Sequence, residues 1–291
     1  MRRPDEFSQT TWDDPFWHAV RMLVDLTRGK ALRESEILGT LVRAETEASI
    51  GLMSFLGERP QMIARLAHYT HFRVIAANHL LSLARTEDEA LDDFRELSSE
   101  TVARYGTQSA DHHQSSRVMV ATVEVLTRAI CLEQGLDVNV NPQNRAAVAS
   151  GDHIWVSPRR LDGAMPSLFN PVGLWEIKEY WGGTKGGSKM SDAIYECQLV
   201  GQELRTFEDR YGPRIRHYAI IDGASQWGHR MSDLRRAVDL LCAGLLDELL
   251  VGKEVLTEWP RIVREMAQLA VGLTQHQPPH SATAAIPLSQ A

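Results

Sequence analysis

Residues 174–181 read Leu-Trp-Glu-Ile-Lys-Glu-Tyr-Trp, which sets Glu176 and Lys178 two positions apart. On an extended strand these two side chains leave one face, while Trp175 and Ile177 leave the other. A carboxylate beside an ammonium suits phosphodiester hydrolysis. The carboxylate can hold Mg²⁺, and the ammonium can orient a water or offset charge growing on the phosphoryl oxygens. No other Asp/Glu-x-Lys occurs in the chain. Mg²⁺ prefers oxygen ligands and takes one or two carboxylates from protein, so a second acid is required. Asp152, at the start of a neighbouring expected strand, is the candidate. Asp162 competes with it, but stands in an Asp-Gly pair among proline and arginine residues, a composition that reads first as a turn.

The strand runs into a glycine-rich stretch, residues 182–187, carrying Lys185 and followed by Lys189. Three of the chain's five lysines fall between 178 and 189, in a chain with 26 arginines, so this segment is set apart as one that uses compact ammonium groups. The net charge of −7 excludes a broad basic surface that coats nucleic acid. Residues 141–236, however, hold 13 Lys and Arg against 11 Asp and Glu, so a polyanion would meet a local site in mid-chain. Strand, glycine loop and helix is also the setting of a nucleotide phosphate loop, with the 218–223 stretch Tyr-Ala-Ile-Ile-Asp-Gly as its acidic strand. Ser188 and Lys189 follow Gly187 where Lys and then Ser/Thr is needed, which disfavours that reading.

The elements that must position these residues follow from periodicity. Three- and four-residue apolar steps predict helices over 15–28, 34–56, 60–85 and 87–105. A helix over 116–134 ends at Gly135 and is followed by expected strands at 136–140, 152–156, 173–181 and 215–222. A helix over 190–211 lies between the last two strands, and helices over 232–251 and 260–273 close the pattern. This divides the chain into a helical region (1–106), a core with C-terminal helices (107–273) and a Gln/Pro/Ser/Ala tail (274–291) expected to be disordered. Cys131, Cys197 and Cys242 stand singly in apolar patterns and read as buried thiols. No run approaches the roughly 18 apolar residues of a membrane span, and the first residues lack a signal peptide's apolar stretch, so a cytoplasmic protein is expected.

Gly151-Asp152-His153-Ile154-Trp155-Val156 followed by Glu176-Ile177-Lys178, in this order of elements, resembles the PD-(D/E)xK nuclease superfamily, the fold of many restriction endonucleases. The resemblance covers roughly residues 115–223, with Gly151 standing where members often carry proline. It implies an α/β fold with a restriction-endonuclease-like core, ordered α-β-β-β-α-β around a four-stranded mixed sheet. It implies Asp152, Glu176 and Lys178 as the catalytic set. Asp152, Glu176 and the Ile177 carbonyl would hold Mg²⁺, or Mn²⁺ in its place, with Glu124 on the preceding helix as a further ligand and Lys178 acting on the attacking water. Glu179 and Gln198 would stand behind these groups. Lys185, Lys189, Arg159, Arg160, Ser225 and Gln226, on loops or helix starts near strand ends, are candidate contacts to nucleic acid.

The implied activity is a restriction- or phage-defence-type endonuclease cutting double-stranded DNA to 5′-phosphate and 3′-hydroxyl ends, alongside a partner methyltransferase or defence-system protein. Cutting both strands of a duplex needs two active sites or a reorientation, so a homodimer is expected. The alternative is a non-catalytic nucleic-acid-binding or assembly subunit that keeps the fold.

Overall fold

Local signals set the helices that open the chain. Asp14 caps α1 (Pro15–Leu26) by accepting the N–H of Phe16 at 2.8 Å, with Pro15 in the first turn. The helix expected over 34–56 is two, α2 (Glu34–Ala44) and α3 (Glu47–Gly57). Glu45 takes a left-handed φ of 52°, and Thr46 starts the second helix with a reciprocal cap to Ser49. The periodicity continued across this break because both helices bury apolar residues in one core. Next come α4 (Pro60–Leu83) and α5 (Glu87–Leu97), the latter opened by a Thr86–Glu89 capping box.

The computed structural model describes residues 1–102, 104–105, 115–181 and 187–276. After α5, the short strands β1 (Arg104–Tyr105) and β2 (Ser115–Ser116) pair antiparallel, and α6 (Val118–Glu133) follows. Then come β3 (Ala147–Ser150), β4 (His153–Val156), β5 (Gly163–Met165), β6 (Gly173–Glu179), α7 (Gly187–Tyr211), β7 (Arg216–Asp222), α8 (Ala224–His229), α9 (Met231–Cys242), β8 (Glu248–Val251) and α10 (Glu254–His276).

The protein is a mixed α/β fold built on a four-stranded mixed sheet in the order β5-β6-β7-β8. β5 is antiparallel to β6, and the other neighbours are parallel. Alternation along the strands sorts two cores. Trp175, Tyr218, Ile220 and Leu250 pack under α6 and α10 against Val123, Trp259, Ile262 and Met266. On the opposite face Leu174 packs with Val200, Leu204 and Phe207 of α7. Ala219, Ile221, Leu249 and Val251 on that face join α9 and the helices α1–α4 in one continuous cluster. The N-terminal helices thus share the core of the sheet. Arg85 also ties them down: its backbone N–H and guanidinium both bond to Asp222 at the end of β7, in a pair with no solvent exposure. The three cysteines are free and buried, and no described helix is long and apolar enough to cross a membrane.

Further element expectations are corrected in the core. Residues 136–140 form no strand. Leu136 and Val138 lean on the core beneath α6, but no neighbouring chain offers a ladder, and the Asn139 side chain turns back to the Asn141 N–H. The sheet's fourth strand comes instead from 232–251. There the expected helix ends at Cys242, Gly244 turns with φ 79°, and the fully buried run Glu-Leu-Leu-Val becomes β8 beside β7. A short buried strand and a buried helix segment carry the same apolar pattern, so periodicity does not separate them. The expected strand at 152–156 exists as β4, but it pairs with β3 in a separate hairpin outside the four-stranded sheet.

Candidate active site

β6 leaves the protection of β5 halfway along its length, and the site forms there. The antiparallel pairing ends at Gly163 opposite Trp175. Gly163 is required because Trp175 lies across it, so that any Cβ would enter the indole. One residue earlier, Asp162 takes over where the ladder stops, its Oδ2 accepting the N–H of Ile177 at 2.7 Å. In a strand the N–H and C=O of one residue point to the same side, so the Ile177 carbonyl opens to this edge as well. Asp162 Oδ1 accepts from Gln143 Nε2 at 2.8 Å, Gln143 donates also to Asn141 Oδ1 at 2.7 Å, and Asn141 donates to Glu124 Oε1 on α6 at 2.6 Å. A relay of amides therefore links the α6 carboxylate to the edge of β6.

The Glu176 and Lys178 side chains point under α7. Glu176 is 1% exposed and Lys178 9%. Lys178 Nζ lies 2.8 Å from Glu176 Oε2 and 3.1 Å from Glu196 Oε2 on α7. Arg159 is ion-paired with Glu196, and its Nε lies 4.0 Å from Glu176 Oε2. From β7, His217 brings Nε2 to 3.5 Å from Glu176 Oε1. His217 Nδ1 sits 3.0 Å from the Leu245 carbonyl, which can only accept, so Nδ1 carries a hydrogen and only a second proton lets Nε2 donate to Glu176.

Burial alone would raise the Glu176 carboxyl. The adjacent Lys178 ammonium and His217 override it and hold the group well below the usual carboxylate range. Burial opposes the Lys178 charge in turn, and Glu176 more than restores it, so Lys178 remains an ammonium at neutral pH. Lys178 meets Glu176 as an ion pair at 2.8 Å. Both Glu176 oxygens, His217 Nε2 and Arg159 Nε are buried without a hydrogen-bond partner. The Lys178 ammonium offsets the buried Glu176 charge, while hydrogen-bonding capacity on Glu176, His217 Nε2 and Arg159 Nε is left unfilled by the protein. Among the described residues no three His, Cys, Asp or Glu side chains gather closely enough to hold a metal by themselves. The donors present are two carboxylates, Asp162 and Glu176, and a backbone carbonyl. That set fits Mg²⁺, which keeps several of its waters, and does not fit a metal that needs a full protein cage.

The structure does not bring Asp152 to this site. Asp152 is exposed in the β3–β4 turn, where Ser150 bonds the Tyr211 carbonyl and His153 stacks on Tyr211, ring centroids 3.8 Å apart. Tyr211 ends α7, and 15 residues of helix separate it from Glu196, a span of about 22 Å. The aspartate that reaches this segment of β6 is Asp162, the competitor in the sequence, through the Ile177 N–H between Glu176 and Lys178. Gln198 is also displaced: two residues beyond Glu196, it faces round the helix into a cavity against α1 and α9.

Glu179 points to the opposite face of β6, where it accepts the Met119 N–H at the start of α6 at 2.9 Å and the Trp181 indole N–H at 3.0 Å. Burial pushes its carboxyl up to about 7. Arg159 is drawn into the site by Glu196, whereas Arg160 beside it is exposed. Lys189 is exposed in the first turns of α7, and Lys185 lies outside the described residues. Ser225 is exposed and Gln226 buried on α8, just past the C-terminal end of β7. Glu196 and His217 carried no sequence signal. Each reaches the site only through the phase of α7 or the register of β7, where His217 pairs with Leu174 and so shares the face of Glu176.

No curated protein and no solved structure matches the chain. A family model described as a domain of unknown function, DUF7687, matches residues 85–266. The match begins at Arg85, which anchors α5 to Asp222, and takes in the whole sheet, α6, α7 and every residue of the Glu176 cluster, leaving α1–α4 outside. The chain belongs to the DUF7687 family, and the candidate site lies entirely within the part that defines it.

Proposed function

We propose that the chain is a Mg²⁺-dependent phosphodiesterase of the PD-(D/E)xK kind, acting as an endonuclease on double-stranded DNA. One observation carries this reading. Asp162 accepts the Ile177 N–H at the edge of the strand segment whose flanking residues, Glu176 and Lys178, form a buried carboxylate–ammonium pair. Asp162, Glu176 and the Ile177 carbonyl would hold the metal, which would polarise a phosphoryl oxygen and lower the pKa of a bound water.

The protein groups around it have separate tasks. Lys178, held cationic by Glu176 and Glu196, orients a water or offsets charge on the phosphate; an ammonium so paired does not serve as a general base at neutral pH. His217, fixed through Nδ1 to the Leu245 carbonyl, faces Glu176 with Nε2 and would donate to it on gaining a second proton. Lys189, exposed beside the start of α7, is placed for a neighbouring phosphate, with Arg160 and Ser225 as further contacts. Products with 5′-phosphate and 3′-hydroxyl ends, a homodimeric assembly and a place in restriction or phage defence complete the proposal.

A second reading, a non-catalytic subunit that keeps the fold, draws on the closure of the site. Lys178 is wedged between Glu176 and Glu196, and Arg159 covers the same carboxylate. A Mn²⁺ titration followed by electron paramagnetic resonance, run beside plasmid cleavage with and without Mg²⁺, separates the two. Saturable Mn²⁺ binding lost in Glu176→Gln, together with Mg²⁺-dependent cleavage, supports the enzyme. Metal binding without cleavage of DNA or RNA, or no metal binding, supports the second reading.

A further inference from the structure

On the α7 face turned away from Lys178, a cavity of about 690 Å³ lies between α1, α7 and α9. That is within the roughly 300–1,000 Å³ of small-molecule sites. Four arginines line it, Arg21, Arg28, Arg73 and Arg236, against Asp25 and Asp239; Arg73 is ion-paired with Asp239 and Arg236 with Asp233, which leaves Arg21 and Arg28 against Asp25, a small positive balance. Of those acids Asp239 is already engaged, accepting from Tyr69 Oη at 2.6 Å and from Arg73 Nε and Nη2 at 2.6 and 2.8 Å.

The free edge of Arg73 turns to Gly29, itself in the cavity wall, where it meets the guanidinium of Arg235, which approaches from behind that wall. A Cβ at Gly29 would stand 3.3 Å from Arg73 Nη1 and 3.1 Å from Arg235 Nη1. Two cations thus converge on backbone that carries no side chain and, at φ 76°, favours glycine. Asp239 holds the other edge of Arg73, and among the described residues no ion pair engages Arg235. Arg235 Nε is buried with no hydrogen-bond partner, and burial together with the Arg73 charge draws the Arg235 pKa down. Like charges gathered in this way lower the stability of the empty protein and become favourable once an anion sits between them.

Aromatic side chains also line the cavity, Tyr195 from α7 and Trp17 from α1. Tyr195 is 53% exposed, with the Arg236 guanidinium 5.5 Å from its ring centre, and Trp17 presents an indole N–H that is buried and unpartnered. A planar ring can stack on Tyr195 and accept from Trp17 while a phosphate lies against the paired guanidiniums.

We infer that this cavity is a binding site for a mononucleotide, its base against Tyr195 and Trp17 and its phosphate at Gly29, where Arg73 and Arg235 converge. The inference is independent of the hydrolytic reading, because none of these side chains touches the Glu176 cluster. Isothermal titration of the full chain with AMP, GMP and UMP, with the matching nucleosides and with inorganic phosphate tests it. At least one mononucleotide should bind saturably, with its nucleoside and phosphate alone each weaker by about tenfold or more. Arg235→Ala should weaken that binding by about tenfold or more, and Tyr195→Ala should do so by a smaller factor. Arg235→Ala removes one of two repelling cations, so its unfolding midpoint should equal or exceed that of the natural protein. No saturable binding up to about 5 mM, equal binding of nucleoside and nucleotide, or undiminished binding by Arg235→Ala would overturn the assignment.

Discussion

The choice between two aspartates is the sharpest test of the site, because sequence and structure select different ones. Asp162→Asn keeps an oxygen to accept the Ile177 N–H and removes one negative charge from the edge of β6. Losing charge assistance at Ile177, together with the acceptor for Gln143 Nε2, should cost about 1–2 kcal/mol of stability. Asp162→Ala leaves the Ile177 N–H and the Gln143 amide without their acceptor, and should cost about 2–3 kcal/mol. Asp152→Ala touches only an exposed turn residue and should stay within about 0.5 kcal/mol. Activity should divide differently. Groups that merely support a metal ligand contribute about 10–100-fold, so loss of a carboxylate ligand in Asp162→Asn should slow cleavage by about 100-fold or more. Asp152→Ala should cleave as the natural protein does. Denaturant unfolding gives the first set of numbers, and nicking of supercoiled plasmid at fixed Mg²⁺ gives the second. An inactive Asp152→Ala beside a fully active Asp162→Asn would show that the geometry around Ile177 has been misread.

Three further outcomes follow from the same cluster and its surroundings. Glu176→Gln leaves Lys178 with Glu196 as its remaining counter-charge, so the metal-free protein should lose about 2–3 kcal/mol, below the 3–5 of a pair broken outright, and Mg²⁺ should no longer raise its melting temperature. Glu179 titrates near 7 in the fold against 4.5 for a free carboxyl, with burial as the main cause. The folded state therefore favours its proton: the benefit is full below about pH 4.5 and is lost as pH rises through 7, a change of up to about 3 kcal/mol. Unfolding free energies of Glu179→Gln and the natural protein, compared at acidic and alkaline pH, should diverge in that direction, and a constant difference would contradict it. Lys189→Ala should weaken binding to every duplex alike and lower the salt slope of a filter-binding series by about one, whereas a loss confined to one sequence would rule out a phosphate contact.

The parts of the site that sequence reveals are those written within one element. Glu176 and Lys178 are two residues apart on a strand with apolar alternation, so their shared face is legible without any partner. The long helix after the glycine loop and the strand at β7 are equally local. Asp162 was harder, because β5 is three residues of Gly-Ala-Met and announces itself neither by length nor by β-branched side chains. Its position beside Ile177 depends on where the β5–β6 ladder ends, and an Asp-Gly pair looks the same whether it turns a corner or caps an edge. Asp152 looked better placed because it precedes an evident strand, but that strand belongs to a hairpin docked at the far end of α7. His217 and Glu196 were illegible for a related reason, since the register of β7 and the phase of α7 are set by packing across the whole core.

The phase of α7 links the two sites. Within one and a half turns the helix sends Glu196 to Lys178 and Arg159 on one side, and Ile194, Tyr195 and Gln198 into the arginine-lined cavity on the other. Cys197 lies between them, buried, its thiol pushed up chiefly by burial and so kept protonated and unreactive. A helix packed on both sides cannot rotate by even one residue, about 100°, without withdrawing Glu196 from the ammonium and exposing the Tyr195 wall. The cluster therefore holds its geometry through the same packing that shapes the cavity. Gly201 reinforces this from the next turn, where any Cβ would stand 2.8 Å from the Leu245 carbonyl, the residue whose oxygen also fixes His217. α7, the loop before β8 and β7 are thus held in register at one point, and that register sets both the carboxylate–ammonium pair and the orientation of the imidazole behind it.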